Sequence, residues 1–221
     1  MLTDFQRLMH ASEGSDLALG AELQRPSPAV SGASEYEIVS AFRRAHVNLI
    51  RDLLGRIHAQ PPMFFEDLVI DVLLAAGYGA RRRDLSRRLG RSGDGGIDGL
   101  IAQDELGLDL IYIQAKRLKP GTVVPVSEVR DFVGSLDAHR AAKGTFVTTS
   151  HFSPAAVEFC SQVSRRVVLI DGQRLAELMI RYNIGVTVVE SYQIKRIDTD
   201  YFSASSNRTR AMISASSQPR K

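Results

Sequence analysis

The chain has 221 residues, 44% of them hydrophobic and 24% charged, which is enough apolar material for one well-buried domain with modest extensions. Its net charge of +3 is weak evidence for a polyanion partner, because Arg208, Arg210, Arg220 and Lys221, with no acid from Ser203 onward, account for +4 and leave the rest near −1. The lone Cys160 excludes an intrachain disulfide and a cysteine-built zinc site; with no apolar run near the roughly 18 residues of a bilayer span and no signal-peptide pattern in MLTDFQRLMHASEGSD, a cytoplasmic, non-membrane protein is expected.

Residues 1–33 mix Ser, Gly, Ala and Pro without a sustained period and are expected to form a flexible segment. From Ser34, placed as an N-cap, the stretch SEYEIVSAFRRAHVNLIRDLLGRIHA repeats Ile38, Phe42, Val47, Ile50, Leu53, Leu54 and Ile57 at helical spacing, which predicts an amphipathic helix over 34–59. Pro61 and Pro62 interrupt it. PPMFFEDLVIDVLLAAGYG then carries an apolar stripe of Phe64, Phe65, Leu68, Val69, Val72, Leu73 and Leu74 that closes on Gly77 and Gly79, the pattern of a buried helix.

After the arginine-rich ARRRDLSRRLGR, the β-branched runs IDGLIAQ and LDLIYIQAK are separated by polar DELG and read as two adjacent antiparallel strands. VSEVRDFVGSLDAHRAAK reads as a helix. GTFVTTS and RRVVLIDG read as buried strands, and SPAAVEFCSQV as a helix between them, with Ser153 as N-cap and Pro154 in its first turn. That is a βαβ unit, whose crossover should be right-handed. GQRLAELMIRYN adds a helix, and the apolar alternation in VTVVESYQIKRI suits an edge strand. The expected architecture is an α/β domain over 60–197, a mixed sheet with helices on both faces, followed by a flexible basic tail at 203–221.

The chemistry concentrates in SGDGGIDGLIAQDELGLDLIYIQAK. Asp98 stands at the start of one strand, and Gln114 and Lys116 share a face of the next, because alternate strand residues do. A hairpin would bring the three together. Phosphodiester cleavage at neutral pH calls for a divalent ion, and Mg²⁺ or Mn²⁺ takes oxygen ligands. Asp98 can offer a carboxylate oxygen, Gln114 an amide oxygen and Ala115 its backbone carbonyl, while Lys116 can orient the attacking hydroxide and offset charge on the transition state. Glu66, in FFEDL, is a further ligand or supporting group if its helix packs over the hairpin. The glycines of GDGGIDG would let the backbone approach a phosphate. Arg81, Arg82, Arg83, Arg87, Arg88 and Arg91 lie just ahead of the motif, placed to grip a phosphate backbone.

Each of these residues also has a plain reading. Asp98 alone could cap a turn, Asp94 is better placed as a turn residue than as a ligand, Glu66 could be an ordinary helix carboxylate, and the arginines could form a solvated face. Five histidines lack the two-His spacing of a zinc site, and His151 follows a strand toward the expected cleft. The TTS triplet, Thr148 to Ser150, has no GxSxG elbow around it, which argues against a nucleophile. No GxxxxGK[ST] loop occurs, so ATP-driven translocation would need another chain.

FFEDLVIDVLLAAGYG, SGDGGIDGLI, IYIQAKR, VRDFVGSLDAHRAAKGTFVTTSHFSPAA and LIDGQRLAELM follow one another in an order that resembles the catalytic domain of Mrr-type restriction endonucleases, within the PD-(D/E)XK nuclease superfamily. The similarity spans about residues 60 to 187. It implies a restriction-endonuclease-like three-layer fold, a central mixed sheet flanked by helices, and a metal-dependent DNA endonuclease using Mg²⁺ or Mn²⁺. Asp98, Gln114 and Lys116 match the family's catalytic motif, and Glu66 the acid its members often carry on the preceding helix. The acid usual before the lysine is glutamine here, as is common in the Mrr branch.

The setting implied is restriction or another defence against foreign DNA, methylated DNA included. Implied partners are DNA, a second copy or a higher oligomer with the 34–58 helix as interface, and other subunits of a defence system. Mrr-type proteins commonly carry a winged-helix recognition domain before the nuclease, whereas about 60 residues precede it here, so DNA selection is not readable from these motifs. The rival expectations are a noncatalytic DNA-binding or assembly module on the same fold, and a nuclease for RNA or DNA junctions.

Overall fold

The computed structural model describes residues 32–81, 86–88, 96–104, 106–195 and 200–201; the side chains of 32–35, 80–81 and 86–88 fall outside that description. So do the expected tail at 203–221 and the expected N-terminal segment, apart from the backbone of 32 and 33. The chain divides into two compact units, one of Met1–Phe42 with Glu190–Lys221 and one of Arg43–Val189. In the first, the described residues comprise a helical run up to Phe42, residues 200–201 and an irregular run at 190–195, where the Tyr192 hydroxyl donates to Glu190 at 2.6 Å. The second carries the sheet.

Helix α1 is Gly32–Ala59, so Ser34 lies inside the helix rather than at its cap. Its last turns, in the second unit, bury Leu53 and Ile57. Pro61 ends the approach to α2 (Pro62–Ala75), where a proline at the first helical position costs no hydrogen bond. Phe65, Leu68, Val69, Val72 and Leu73 form its buried stripe. Gly77 and Gly79 then adopt φ of 97° and 78°. A side chain at Gly79 would stand 2.6 Å from Leu74 Cδ2 and 2.9 Å from Ile101 Cγ2, so the glycine lets the end of α2 close onto the sheet. A 3₁₀ turn, Tyr78–Arg81, follows.

The main sheet has five strands in the order β1 (Ser86–Arg88), β2 (Gly99–Ala102), β3 (Leu110–Lys116), β5 (Lys143–Thr148), β7 (Arg166–Ile170). The β1–β2 and β2–β3 pairs are antiparallel, and β3, β5 and β7 run parallel. β4 (Val123–Val124) and β6 (His151–Phe152) form a separate two-stranded parallel ladder that the residue pattern, too short to show a period, does not announce. Helices α3 (Val126–Ala138), α4 (Pro154–Gln162) and α5 (Gly172–Arg181) complete the unit.

The expected βαβ unit is present as β5, α4 and β7. The Ser153 hydroxyl accepts from the Ala156 N–H at 3.2 Å as the N-cap of α4, and Asp171 caps α5 by accepting from Arg174 N–H at 2.8 Å. α3 and α4 cover the sheet face carrying Tyr112, Phe146, Val167 and Leu169. There the Phe146 ring meets those of Phe132 and Phe152 edge-on at 5.5 and 5.4 Å. The alternate strand residues Ile101, Ile111, Ile113 and Val147 belong to the other face, against which α2 and α5 pack. Burial on both faces explains why β5 and β7 read as continuous apolar runs.

One expectation fails. Within VTVVESYQIKRI, the described residues 186–195 form no strand, and Val188, Val189, Tyr192 and Ile194 are exposed. Alternating β-branched residues make a strand only where a sheet edge pairs with their backbone, and β1 and β7 are the outermost strands of the five.

Candidate active site

β2 and β3 form the expected hairpin, with Gly99 opposite Ile113 and Ala102 opposite Leu110. Its loop is organised by the Asp104 carboxylate, which accepts from the N–H groups of Asp109 at 2.5 Å, Leu106 at 2.9 Å and Leu108 at 3.2 Å. The Asp109 N–H bond, and the others after it, hold this carboxyl below the usual range. The hairpin thereby fixes where Asp98, just ahead of β2, stands relative to the end of β3.

Asp98 is held to β3 twice. Its own N–H donates to the Ile113 carbonyl at 2.8 Å, and its Oδ2 accepts from the Ala115 N–H at 2.7 Å. In an extended strand the N–H and C=O of one residue address the same edge, so the Ala115 carbonyl is directed to the edge where Asp98 lies. Burial pushes the half-buried Asp98 carboxyl above its ordinary value, opposed by the Ala115 hydrogen bond and by the Lys116 charge.

Gln114 and Lys116 alternate with Ala115 and stand opposite Phe146 and Thr148 of β5, on the sheet face that α3 covers. The Gln114 Oε1 atom is buried and has no hydrogen-bond partner among the described residues. Gly96, at φ 86°, lies against this amide: a Cβ there would come within 3.0 Å of Gln114 Nε2. This is the close approach the glycine-rich stretch allows, and no larger residue would adopt that backbone without strain.

Lys116 pairs with a residue the motif does not contain. Its Nζ lies 2.6 Å from Oε1 of Glu128, in the first turn of α3, and the second oxygen of Glu128 is buried without a hydrogen-bond partner among the described residues. The one signal in the sequence was an acid just after Pro125, where an anion suits a helix N-terminus. Beyond Lys116, β5 clamps the exit of the strand. The hydroxyl of Thr148 donates to the Lys116 carbonyl at 2.9 Å, and that of Thr149 accepts from the Leu118 N–H at 3.0 Å and donates to the Leu118 carbonyl at 2.9 Å. Arg117 donates to the His58 carbonyl at 2.7 Å, tying the same exit to α1.

Glu66 is half-buried on α2, the helix that packs against β2 and β3. His151 is exposed in β6. The side chains of Arg81, Arg82, Arg83, Arg87, Arg88 and Arg91 and all of Asp94 lie outside the described residues. Among the described residues no group of three or more His, Cys, Asp or Glu side chains is arranged to hold a metal ion, so an ion here would draw on the amide and carbonyl oxygens as well. No helix among them is long and apolar enough to cross a membrane.

The profile of the Mrr_cat family, described as restriction endonuclease, matches residues 57–179, a stretch that contains every one of these groups from His58 to Thr149. The chain belongs to this family. Over 151 residues this Mrr-family chain is 44% identical to the type IV methyl-directed restriction enzyme EcoKMrr of Escherichia coli (strain K12), a match spanning 68% of this chain and 48% of that protein. The chain thus spans about half the length of this curated relative. Among solved structures it is similar to the DNA modification-dependent restriction endonuclease AspBHI, at TM-score 0.46 and 19% identity over 75% of this chain and 38% of that one. It is also similar to the MspJI restriction endonuclease in complex with a 27-mer oligonucleotide, at TM-score 0.39 and 28% identity over 72% and 34%.

Proposed function

We propose that this chain is a divalent-metal-dependent endonuclease that hydrolyses phosphodiester bonds in foreign, modified DNA, with Asp98, Gln114 and Lys116 at its centre. The observation that carries the reading is the buried Gln114 Oε1, without a partner among the described residues, beside a carboxylate already oriented by the Ala115 N–H. A buried acceptor left unsatisfied costs stability, and a bound ion is one of the partners that removes this cost.

The donor set fits a hard cation. Asp98, the Gln114 amide oxygen and the Ala115 carbonyl would hold Mg²⁺ or Mn²⁺, and Glu66 is the further candidate from α2. When bound, such an ion polarises the scissile phosphate and acidifies the attacking water. The Ala115 N–H holds the Asp98 carboxylate in one orientation, and the Lys116 ammonium offsets negative charge that develops on the phosphate. Arg81, Arg82, Arg83, Arg87, Arg88 and Arg91 are proposed as phosphate contacts, which would make binding strongly salt-dependent. The methyl-directed activity named for the E. coli relative supports modified DNA as the substrate.

Cutting both strands of a duplex in one binding event takes two such centres. A homodimer or higher oligomer is therefore proposed, with α1, whose Ile38 and Val47 are exposed, as interface. A cytoplasmic setting goes with this reading.

The test incubates purified protein with methylated and unmethylated plasmid, RNA and a DNA junction, each with Mg²⁺, Mn²⁺ or EDTA, and measures binding in parallel. Nicking of methylated plasmid that needs the metal and disappears in Asp98→Ala and Lys116→Ala is expected. Binding without nicking under every condition would make the protein a noncatalytic DNA-binding module instead.

A further inference from the structure

We propose that Glu128 is a positioning residue for Lys116, supplying from α3 the carboxylate that position 114 of the hairpin does not. The inference rests on the nuclease reading above and concerns a residue outside the Asp98, Gln114 and Lys116 motif.

Lysine carries a compact charge on a four-carbon stem with several rotatable bonds, so an unguided ammonium samples many places, and fixing it costs conformational entropy. At a centre where charge must sit within a fraction of an ångström of the phosphate, that disorder lowers the rate. Strand geometry alone fixes only the direction in which the Lys116 stem leaves β3. Gln114, on the same face, is neutral and offers no counter-charge. Glu128 approaches from α3, which covers that face, and its Oε1 holds Nζ at 2.6 Å.

The carboxylate is itself well placed to be a fixed point. It sits in the first helical turn, where the helix dipole favours the anion, and α3 is anchored by the buried Val129, Phe132, Val133 and Leu136. An ion pair kept only for stability would be expected either in the open, where it contributes little, or with its acceptors satisfied. This pair is neither: the Lys116 and Glu128 side chains are 37% and 29% exposed, and Glu128 Oε2 is buried with no hydrogen-bond partner among the described residues. The arrangement leaves Lys116 reachable by a phosphate while its ammonium stays tethered.

The test compares Glu128→Gln, which keeps shape and removes charge, with Glu128→Asp, which keeps charge on a shorter stem. Single-turnover cleavage, DNA affinity in Ca²⁺ and Tm are measured for each. Expected for Glu128→Gln is a cleavage rate lowered about 10- to 100-fold, with DNA affinity and Tm near those of the unmodified protein, since the loss belongs to a group that orients another. Glu128→Asp should recover part of the rate. A Glu128→Gln protein that cuts as fast as the unmodified one, or a loss equal in both variants, or one that tracks DNA affinity or Tm, would overturn the assignment.

A second arm needs no turnover. Lysines are reductively methylated with ¹³C, the Lys116 resonance is assigned by its loss in Lys116→Arg, and its position should move toward that of solvent-exposed lysines in Glu128→Gln. An unmoved resonance overturns the proposal. A protein that cuts no substrate yet shows the shift would sink the nuclease reading while leaving the Glu128–Lys116 link supported.

Discussion

The Asp98 carboxylate accepts the backbone N–H of Ala115 at 2.7 Å, across 17 residues of chain and the whole β2–β3 hairpin. A side chain here does what the next rung of the antiparallel ladder would otherwise do, because the residue before β2 pairs with the residue between Gln114 and Lys116. The bond spends one oxygen of Asp98 on β3, and the other takes no part in it. It also makes the site's geometry a property of the hairpin register: a slip of one residue would turn Gln114 and Lys116 to the opposite face.

Asp98→Asn keeps an oxygen that can accept from Ala115 and removes the charge. Burial is the leading influence on this carboxyl and raises its pKa, so ionisation is easier in the unfolded chain than in the native one. As pH climbs from the ordinary carboxylate value through the raised one, the unfolded state releases its proton first, and stability falls with pH over that window. The amide has no such dependence. We expect Asp98→Asn to match or exceed the unmodified protein in Tm at neutral pH while cleavage drops by at least about 10²-fold, the trade expected where a site holds an uncomfortable charge for function. Thermal melts at pH 4 to 8 beside a nicking assay measure both, and a Tm well below that of the unmodified protein would refute the first half.

Thr149→Val removes a buried hydroxyl that both donates to and accepts from Leu118, two residues past Lys116. Valine has the same shape and leaves a backbone N–H and a carbonyl unpaired. The expected cost is about 1–3 kcal/mol, read as a lower midpoint in urea, with cleavage reduced less than by Lys116→Ala. An unchanged midpoint would mean that the exit of β3 is held by other contacts.

Local patterns made much of this legible in sequence. Asp98, Gln114 and Lys116 lie within 19 residues, and strand alternation with a hairpin is enough to bring them together. The helices were legible from apolar spacing and from the Ser153 and glycine boundaries. Glu128 was not, because its partner depends on how α3 docks across the sheet, which is set by Phe132 and Leu136 fitting over Gly144 and not by any spacing near Lys116. The TTS triplet, which lacks the surroundings of a nucleophile, serves as the clamp at the end of β3. The apolar alternation after residue 185 misled because pairing needs a partner edge that no single segment encodes.

The glycine contacts predict a ranking. A Cβ at Gly144 would stand 2.8 Å from both Leu136 Cδ1 and Phe132 Cζ, side chains that can shift, so Gly144→Ala should destabilise by about 1–3 kcal/mol. At Gly172 the Cβ would collide with the backbone carbonyl of Thr149, which cannot rotate away, so Gly172→Ala should cost more and disturb the β3 clamp with it. Gly134, on the exposed side of α3, has nothing within 4 Å, and Gly134→Ala should stabilise by up to about 1 kcal/mol through helix propensity. Urea midpoints for the three variants give the order directly. Gly172→Ala more stable than Gly144→Ala would contradict the packing described.

Cys160 on α4 packs against the core under β5 and β7, and burial pushes its thiol up to about 11. Only the thiolate attacks alkylating reagents or disulfides. In native protein at pH 8, Cys160 should therefore react with a disulfide reagent far more slowly than a free thiol does, and at the free rate once urea has unfolded the chain. The same shift fixes a sign for stability. Between the unfolded thiol value of roughly 8.5–9 and the native one, the unfolded state is ionised and the native state is not, so stability declines as pH rises through that window. Cys160→Ser should lose this alkaline decline. Rapid labelling of the native protein at pH 8, at a rate equal to that of the unfolded chain, would show instead that α4 opens readily from the sheet.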